Sequence, residues 1–571
     1  MNNHKWWQTA VFYQIYPRSF ADGNGDGIGD IPGIITKLDY LQELGIDAIW
    51  LSPHFPSPQF DCGYDVADYV NVEPEYGTLA DFREMLAAAH ARGIRVILDL
   101  VLNHTSHLHA WFQESQKGRD SAKRDWYIWR DGVDGGPPNN WRSVFGGPAW
   151  EFDAASGQYY YHFFLKEQPD LNWRNPAVRA AMWDAVRFWL DMGVDGFRLD
   201  AINAIFEDPA LTPHTSTADE MELLRRYWDT ISQEEAVRLD AEGELLFRHQ
   251  HSQPQVHDLM QELRQVIDAY DDRVLVGEAD EIAFYGDGSN ELHMIFNFSL
   301  MRSERLTPAW IRANQQERLA ALPPGAWPCN TLNNHDSPRL FSRYTAGEQA
   351  AALARVHLAL MLALKGTPFL YNGEEIGMID YHLHDPAQFR DLVGVWIYRT
   401  LRETLGWPAE EATARASQMG RDKCRTPNQW AHTANGGFCP ADVTPWLPVH
   451  PNWAAGVNVA DQEADPDSLL HFYRRLLHAR RGAPALQMGE QELLHEEADD
   501  YLALLRADAV SGQTCLVVLN FSQRGHTLCF DLPFASARPL FSSHARRPGP
   551  DAPHALEIAP FEVYIGELIR Y

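Results

Sequence analysis

Four short stretches of this chain place polar, reactive side chains directly after runs of apolar residues. "DLVLNH" spans Asp99–His104, "GFRLDA" spans Gly196–Ala201, "VLVGEA" spans Val274–Ala279, and "NNHDSPR" spans Asn333–Arg339. Each apolar run reads as a buried strand, so the polar residues that follow sit at strand ends. Asp200, Glu278 and Asp336, with His104, His335 and Arg198, then face one another if those strands share a sheet. One such carboxylate reads equally well as a helix cap or an ion-pair partner; several, each behind an apolar strand, point to a site. Paired carboxylates suit glycoside hydrolysis, in which one serves as nucleophile or base and the other stays protonated to donate to the leaving oxygen. Their order does not assign the roles.

The elements that must position these residues alternate. "AVFYQIYP" (Ala10–Pro17), "IDAIWLSP" (Ile46–Pro53) and "IRVILDLV" (Ile94–Val101) read as strands, and the stretches between them carry helical spacing. The alternation resumes with Val194–Leu199, Arg273–Gly277, Asn330–Leu332 and Pro368–Tyr371. About eight such units close a (β/α)8 barrel, with its site at the C-terminal ends of the strands. The expected fold is therefore α/β: a TIM barrel over residues 1–103 and 175–485, an irregular insertion over 104–174 after the third strand, and a C-terminal antiparallel β-sandwich over 486–571. A second irregular stretch covers about 380–455.

The chain has 571 residues and a formal net charge of −30. That charge argues against nucleic acid, an anionic membrane and acidic substrates as partners. The 19 Trp, 21 Tyr and 27 Phe suit both sugar rings and a large core. The six cysteines show no CxxC pair and read as reduced thiols. "MNNHKWWQTA" has no apolar leader and no stretch is long enough to span a membrane, which points to the cytoplasm.

The ordered set "DLVLNH", "GFRLDA", "VLVGEA" and "NNHDSPR", joined by "GIDAIWLSP", "QPDLN" and "GTPFLYNGEEIGM", resembles the α-amylase family of glycoside hydrolases along essentially the whole chain. "QPDLN" and "YQIYPRSFADGNGDGIGDIPGI" are similar to its exo-acting α-glucosidase and oligo-1,6-glucosidase branch. The resemblance implies Asp200 as nucleophile, Glu278 as acid and then base, and Asp336 as the carboxylate that grips sugar hydroxyls. It implies that Arg198 keeps Asp200 ionised and oriented and that His104 and His335 donate to glucose hydroxyls. "FDCGYD" (Phe60–Asp65) is similar to a family motif in which Asp61 and a later arginine clamp the terminal glucose while Tyr64 stacks beneath it. The "RTPNQW" segment makes Arg425 the expected partner, an ion pair that closes the pocket and makes the enzyme exo-acting. Phe145 and Phe164 are aromatic-wall candidates or plain core. Ala201, a small residue after the nucleophile, goes with α-1,4 rather than α-1,6 cleavage. The resulting expectation is a retaining exo-α-glucosidase on maltose-type oligosaccharides, with transglucosylation onto alcohol acceptors. Its rivals are an oligo-1,6-glucosidase, a sucrose isomerase or hydrolase, and a non-catalytic binding relative.

"DGNGDGIGD" raises a separate question. Its oxygens fall at relative positions one, three, five and nine, with glycine at six, the start of an EF-hand-like cage, but Gly33 stands where the bidentate Glu belongs. The reading is a structural Ca2+ or Mg2+ site of Asp22, Asn24, Asp26, the Ile28 carbonyl and Asp30; the alternative is a simple turn. His249, His251 and His257 match no defined metal spacing and are expected in a solvated loop. Two departures from the family pattern bear on the acceptor side: Asn372 stands where close relatives often have Gln, and residues 208–232 lengthen the connection after the fourth strand, as a lid or a dimer contact. Monomer and homodimer both stay open.

Overall fold

A computed structural model describes residues 4–216, 241–243, 245–303, 305–344 and 349–570. Eight parallel strands form one sheet: β1 (Phe12–Ile15), β2 (Ala48–Leu51), β3 (Arg95–Val101), β4 (Gly196–Asp200), β5 (Val274–Gly277), β6 (Met294–Ile295), β7 (Cys329–Thr331) and β8 (Thr367–Tyr371). Their order is β7-β8-β1-β2-β3-β4-β5-β6. The sheet curls until its ends meet. Cys329 Sγ lies 3.2 Å from the Ile295 carbonyl, and Asn297 Nδ2 donates to Asn330 Oδ1 at 3.2 Å across the seam between β6 and β7.

Two apolar layers hold the barrel. Tyr13, Ile49, Leu98, Leu275 and Leu370 face the surrounding helices. Phe12, Trp50, Ile97, Val276, Met294, Phe296 and Phe369 fill the interior, with Phe12 and Phe369 stacked at 4.4 Å. Helix Pro176–Met192 starts on an Asn175 cap with Pro at its first position, and Gly193 stops it in the left-handed conformation (φ 107°). Thr78 and Asp81 form a capping box on helix Leu79–Ala91.

The insertion after β3 is not wholly irregular. It carries helix Ala110–Ser115 and a three-stranded antiparallel sheet with Gln158–Tyr161 between Trp129–Arg130 and Trp150–Asp153. Residues 380–455 likewise contain helices Leu392–Arg399 and Ala409–Met419, which bury their own cluster around Phe389, Ile397, Leu401 and Ala416. Their aromatic, proline-rich flanks hide that period in the sequence. After helix Leu469–Arg481, a five-stranded antiparallel sheet and the antiparallel pair His526–Leu528 and Leu556–Ile558 share one core. Among the described residues, no helix is long and apolar enough to cross a membrane.

Candidate active site

The register of the barrel decides what meets at its mouth. Asp99 pairs with Arg198 across β3 and β4, and Leu199 pairs with Gly277 across β4 and β5. Asp200 and Glu278 therefore leave neighbouring strands at the same level. Arg198 and Asp99 alternate inward with them, above the aromatic plug.

Arg198 is completely buried and anchors three carboxylates. Its Nη1 lies 2.7 Å from both Asp99 Oδ1 and Asp200 Oδ1, and its Nη2 lies 2.8 Å from Glu278 Oε2. Glu278 Oε2 also accepts the Ala201 amide at 3.0 Å. Trp50 Nε1 and the Tyr64 hydroxyl both donate to Asp99 Oδ2 at 3.1 Å. One guanidinium cannot neutralise three carboxylates, and burial raises what remains. Asp99 is pushed up to about 6, mainly by burial, against the pull of Arg198. Burial and the charges of Glu278 and Asp99 likewise push Asp200 up, and Arg198 opposes them without outweighing them, so it orients this carboxylate but does not hold it below its ordinary range as expected from the sequence. The cluster thus favours holding a shared proton.

Asp336 has the opposite environment. Burial acts to raise it, but Arg421 and Arg425 outweigh burial and hold the carboxyl well below the usual range. Arg425 Nη2 bonds Asp336 directly, and Arg421 Nη1 stands 3.6 Å away. Burial lowers His104 to about 4 and also pushes His335 down, which favours the neutral ring in both.

These residues enclose a cavity of about 490 Å³. Asp200, Glu278, Asp336, Asp61, Tyr64, His104, Ala201, Phe145 and Phe164 all line it. The rings of Phe145 and Phe164 stand 5.6 Å apart, and Phe164 meets His104 edge-on at 5.2 Å. Arg198, His335 and Arg425 do not reach the cavity; each is fully buried beneath it. The His335 ring stacks on Tyr64, with Gln14 Nε2 at 2.7 Å from Nδ1 and the Tyr64 hydroxyl bonded to Nε2. Both ring nitrogens are thus occupied by protein, and His335 supports Tyr64 where a direct sugar contact is expected from the sequence.

The arginine paired with Asp61 is also corrected. Arg421, not Arg425, places Nη2 2.7 Å from Asp61 Oδ1. The 3-10 turn Asp422–Cys424 directs the two guanidinium groups differently: Arg425 goes under Asp336 and Arg421 goes to the cavity wall. Asp391 braces Arg421 from behind at 2.7 Å. Gln168 Nε2 donates to Asp61 Oδ2 at 3.1 Å and sits 2.9 Å from His104 Nε2.

Sequence reasoning passed over the rest of the wall. Phe247 and His251 come from the long connection after β4, Glu281 follows β5, and Phe298 and Arg302 follow β6. His251 is therefore a cavity residue rather than part of a solvated loop. His249 stands 3.8 Å from Asp208 and His257 2.9 Å from Glu291. Of residues 208–232, those from 217 onward lie outside the described residues. Residues 208–216 lie against the insertion, where Trp141 Nε1 donates to the Thr212 carbonyl at 2.8 Å.

The "DGNGDGIGD" loop follows β1 and contributes nothing to the cavity wall. Asp22 accepts the amides of Gly25 and Gly27 at 2.6 and 2.8 Å, Asp26 accepts that of Ile28 at 2.9 Å, and Asp30 caps helix Ile31–Thr36 through Gly33 at 2.6 Å. Three carboxylates, an amide and a carbonyl are the right donor chemistry for a hard dication. Each carboxylate here also serves a backbone amide, and no group of three His, Cys, Asp or Glu converges to hold a metal among the described residues.

The family profile "Alpha amylase, catalytic domain" matches residues 14–489. An oligo-1,6-glucosidase of Parageobacillus thermoglucosidasius is 40% identical over 547 residues, covering 92% of each chain. An alpha-glucosidase of Pediococcus pentosaceus is 40% identical over 528 residues, covering 87% of this chain and 88% of that one. Among solved structures, an isomaltulose synthase variant of Erwinia rhapontici NX5 in complex with sucrose superposes with a TM-score of 0.86 at 35% identity, covering 100% of both chains. A Bacillus licheniformis trehalose-6-phosphate hydrolase superposes at 0.85 with 36% identity, over 99% of this chain and 100% of that one.

Proposed function

The chain belongs to the α-amylase family of glycoside hydrolases, and from that premise we propose that it is a retaining exo-α-glucosidase acting on short α-1,4-linked gluco-oligosaccharides such as maltose. The observation that carries the reading is the single Arg198 guanidinium that touches both Asp200 and Glu278. A guanidinium shared at 2.7 and 2.8 Å keeps the two carboxylates close together, which supports the retaining arrangement, the narrower of the two.

Asp200 is the nucleophile. Arg198 holds its Oδ1 and leaves Oδ2 to attack the anomeric carbon. Glu278 is the general acid. Its Oε2 is paired with Arg198 and accepts the Ala201 amide, which leaves Oε1 to carry the proton to the glycosidic oxygen. The bond to the leaving sugar breaks as the glucosyl ester on Asp200 forms. Glu278, now ionised, takes a proton from water, and the water oxygen displaces Asp200 to release α-glucose. An alcohol in place of that water gives transglucosylation. Asp336, kept ionised by Arg421 and Arg425, accepts from sugar hydroxyls. The Asp61–Arg421 pair closes the cavity beyond the non-reducing end, which supports release of one glucose at a time.

Incubation with maltose, isomaltose, sucrose and trehalose, with products resolved, tests the reading. Maltose is the expected best substrate, and α-glucose the first anomer by NMR. Early β-glucose would exclude retention. Asp200→Ala and Glu278→Gln each lower kcat by several powers of ten in a folded protein. The relatives named oligo-1,6-glucosidase and isomaltulose synthase give the second reading, in which isomaltose or sucrose wins the comparison. We further propose that Asp22, Asn24, Asp26, the Ile28 carbonyl and Asp30 hold a structural Ca2+ or Mg2+ that supplies stability and no chemistry. The six unpaired cysteines suit a reducing, cytoplasmic setting.

A further inference from the structure

The catalytic cavity shares a wall with a second cavity of about 380 Å³. Phe145 and Phe164 line both. Trp150 and His162 of the insertion and Trp396 of helix Leu392–Arg399 complete the second cavity. The two phenylalanines are therefore a partition with open space behind it. A ring backed by a void is held by its few remaining contacts, because close packing on that side is missing.

Phe145 sits in a tight turn. The Ser143 amide donates to the Gly147 carbonyl and the Gly146 amide to the Ser143 carbonyl, both at 3.0 Å. Gly146 adopts φ 94°, in the left-handed region, and the Trp396 indole covers it. A Cβ at this position would fall 2.8 Å from Cε2 of that ring and closer still to Cζ2. On its catalytic side the Phe145 ring faces the Arg421 guanidinium at 5.8 Å, within cation–π range. The same helix secures Arg421. Its cap residue Asp391 bonds Arg421 Nη2 at 2.7 Å and accepts the Arg421 amide at 2.7 Å. One helix with its cap thus supports both groups at this end of the catalytic cavity, Arg421 directly and Phe145 across Gly146.

We propose that Trp396 is a positioning residue for substrate binding: its contact with Gly146 keeps the Phe145 ring against Arg421 and out of the second cavity, and so fixes the wall on which the terminal sugar packs. This rests on the reading that the Arg421 end of the catalytic cavity takes the non-reducing glucose. Trp396 does not line that cavity and acts only through Phe145. Without the indole, the Phe145 turn is free to move back and the ring to enter the space behind it. The groups that break the glycosidic bond, Asp200 and Glu278, keep their own anchor on Arg198. The loss therefore falls on sugar binding and not on the chemical step.

Steady-state hydrolysis of p-nitrophenyl α-glucoside tests the proposal, because this substrate presents the same glucose whatever linkage is preferred. Turnover by the wild type checks the underlying reading first, so each outcome below bears on Trp396 alone. Trp396→Ala should raise KM roughly fivefold or more, the scale of a displaced ring contact, with kcat within about twofold of wild type. In a Phe145→Ala background the same substitution should leave KM where Phe145→Ala alone puts it, because the ring through which Trp396 acts is gone. A KM unchanged by Trp396→Ala, or raised by the same factor with and without Phe145, overturns the proposal. If Trp396→Ala does not fold, Gly146→Ala decides. Its added methyl forces the turn and the indole apart, so KM should rise in the wild-type background and not in Phe145→Ala. An unchanged KM in Gly146→Ala, or an equal rise in both backgrounds, overturns it.

Discussion

Arg421 spans 360 positions of sequence to set its Nη2 2.7 Å from Asp61 Oδ1, and the pair forms one wall of the catalytic cavity. Burial raises Asp61, and the Arg421 charge opposes that rise. Arg421→Lys retains the charge but loses the fork that reaches Asp61 and Asp391 together. In a folded variant, KM for maltose should rise by about tenfold or more, the scale of a lost charge-assisted contact of about 1.5–3 kcal/mol, with a smaller change in kcat. An unchanged KM would remove this pair from sugar binding.

The same pair marks a limit of sequence reading. The segment "RDKCRTPNQW" carries two arginines, and spacing alone does not say which guanidinium a 3-10 turn sends to the cavity. Most of the barrel is legible because β1 to β5 and β8 are mainly apolar runs followed by polar residues, and the short β7 is marked by the "NNHDSPR" stretch that follows it. β6 is not: two residues, Met294 and Ile295, give no period to read. Missing that strand also hides Phe298 and Arg302, which reach the cavity only because β6 places them there. Phe247 and His251 escape for a different reason. They lie in a connection with no strand end to anchor it, and only tertiary packing brings them to the wall.

Acid should unfold the protein partly through Asp391. Burial would raise this carboxyl, but the Arg421 guanidinium and amide, with Arg425 beyond, more than offset burial and hold it at about 2. A depressed folded-state value stabilises the fold above the unfolded pKa of about 3.9, and that stability is lost as pH falls through the folded value. The contribution is on the order of 2 kcal/mol at neutral pH. Asp391→Asn should therefore lower Tm at pH 7 and flatten the dependence of Tm on pH between about 5 and 2. A wild-type slope retained in the variant would assign acid sensitivity to other carboxylates.

Chelation should act on stability more than on turnover. An ion on the "DGNGDGIGD" loop binds the folded chain and not the unfolded one, so its removal lowers Tm by mass action. The loop does not line the catalytic cavity, and activity at moderate temperature should persist. Asp26→Ala should reproduce the drop in Tm and abolish the further effect of chelator. If Asp26→Ala matches wild type in Tm, and no metal copurifies with the wild-type protein, the hydrogen bonds of Asp22, Asp26 and Asp30 to backbone amides fully account for the loop.

Linkage preference should respond to Ala201, whose side chain lines the cavity and whose amide holds Glu278 Oε2 at 3.0 Å. An α-1,4 acceptor attaches directly through a ring carbon and crowds the wall beside Asp200. An α-1,6 acceptor is held off by a methylene and tolerates a branched neighbour. The steric effect of Ala201→Val, taken alone, should lower kcat/KM for maltose by roughly one to two powers of ten, the about 1–3 kcal/mol of a lost shape fit, while sparing or enhancing isomaltose cleavage. The backbone adds a second effect. Ala201 sits at φ 41° and ψ 44°, in the left-handed region, where a β-branched side chain costs on the order of 1–3 kcal/mol. That strain displaces the amide that serves Glu278, and it slows both substrates together. The ratio of maltose to isomaltose turnover separates the two effects, because only the steric one changes it. Ala201→Gly relieves the strain without adding bulk and should keep the wild-type ratio. If Ala201→Val folds and its ratio also stays at the wild-type value, the determinant lies elsewhere on the wall, with Phe298, Arg302 and His251 the groups to vary next.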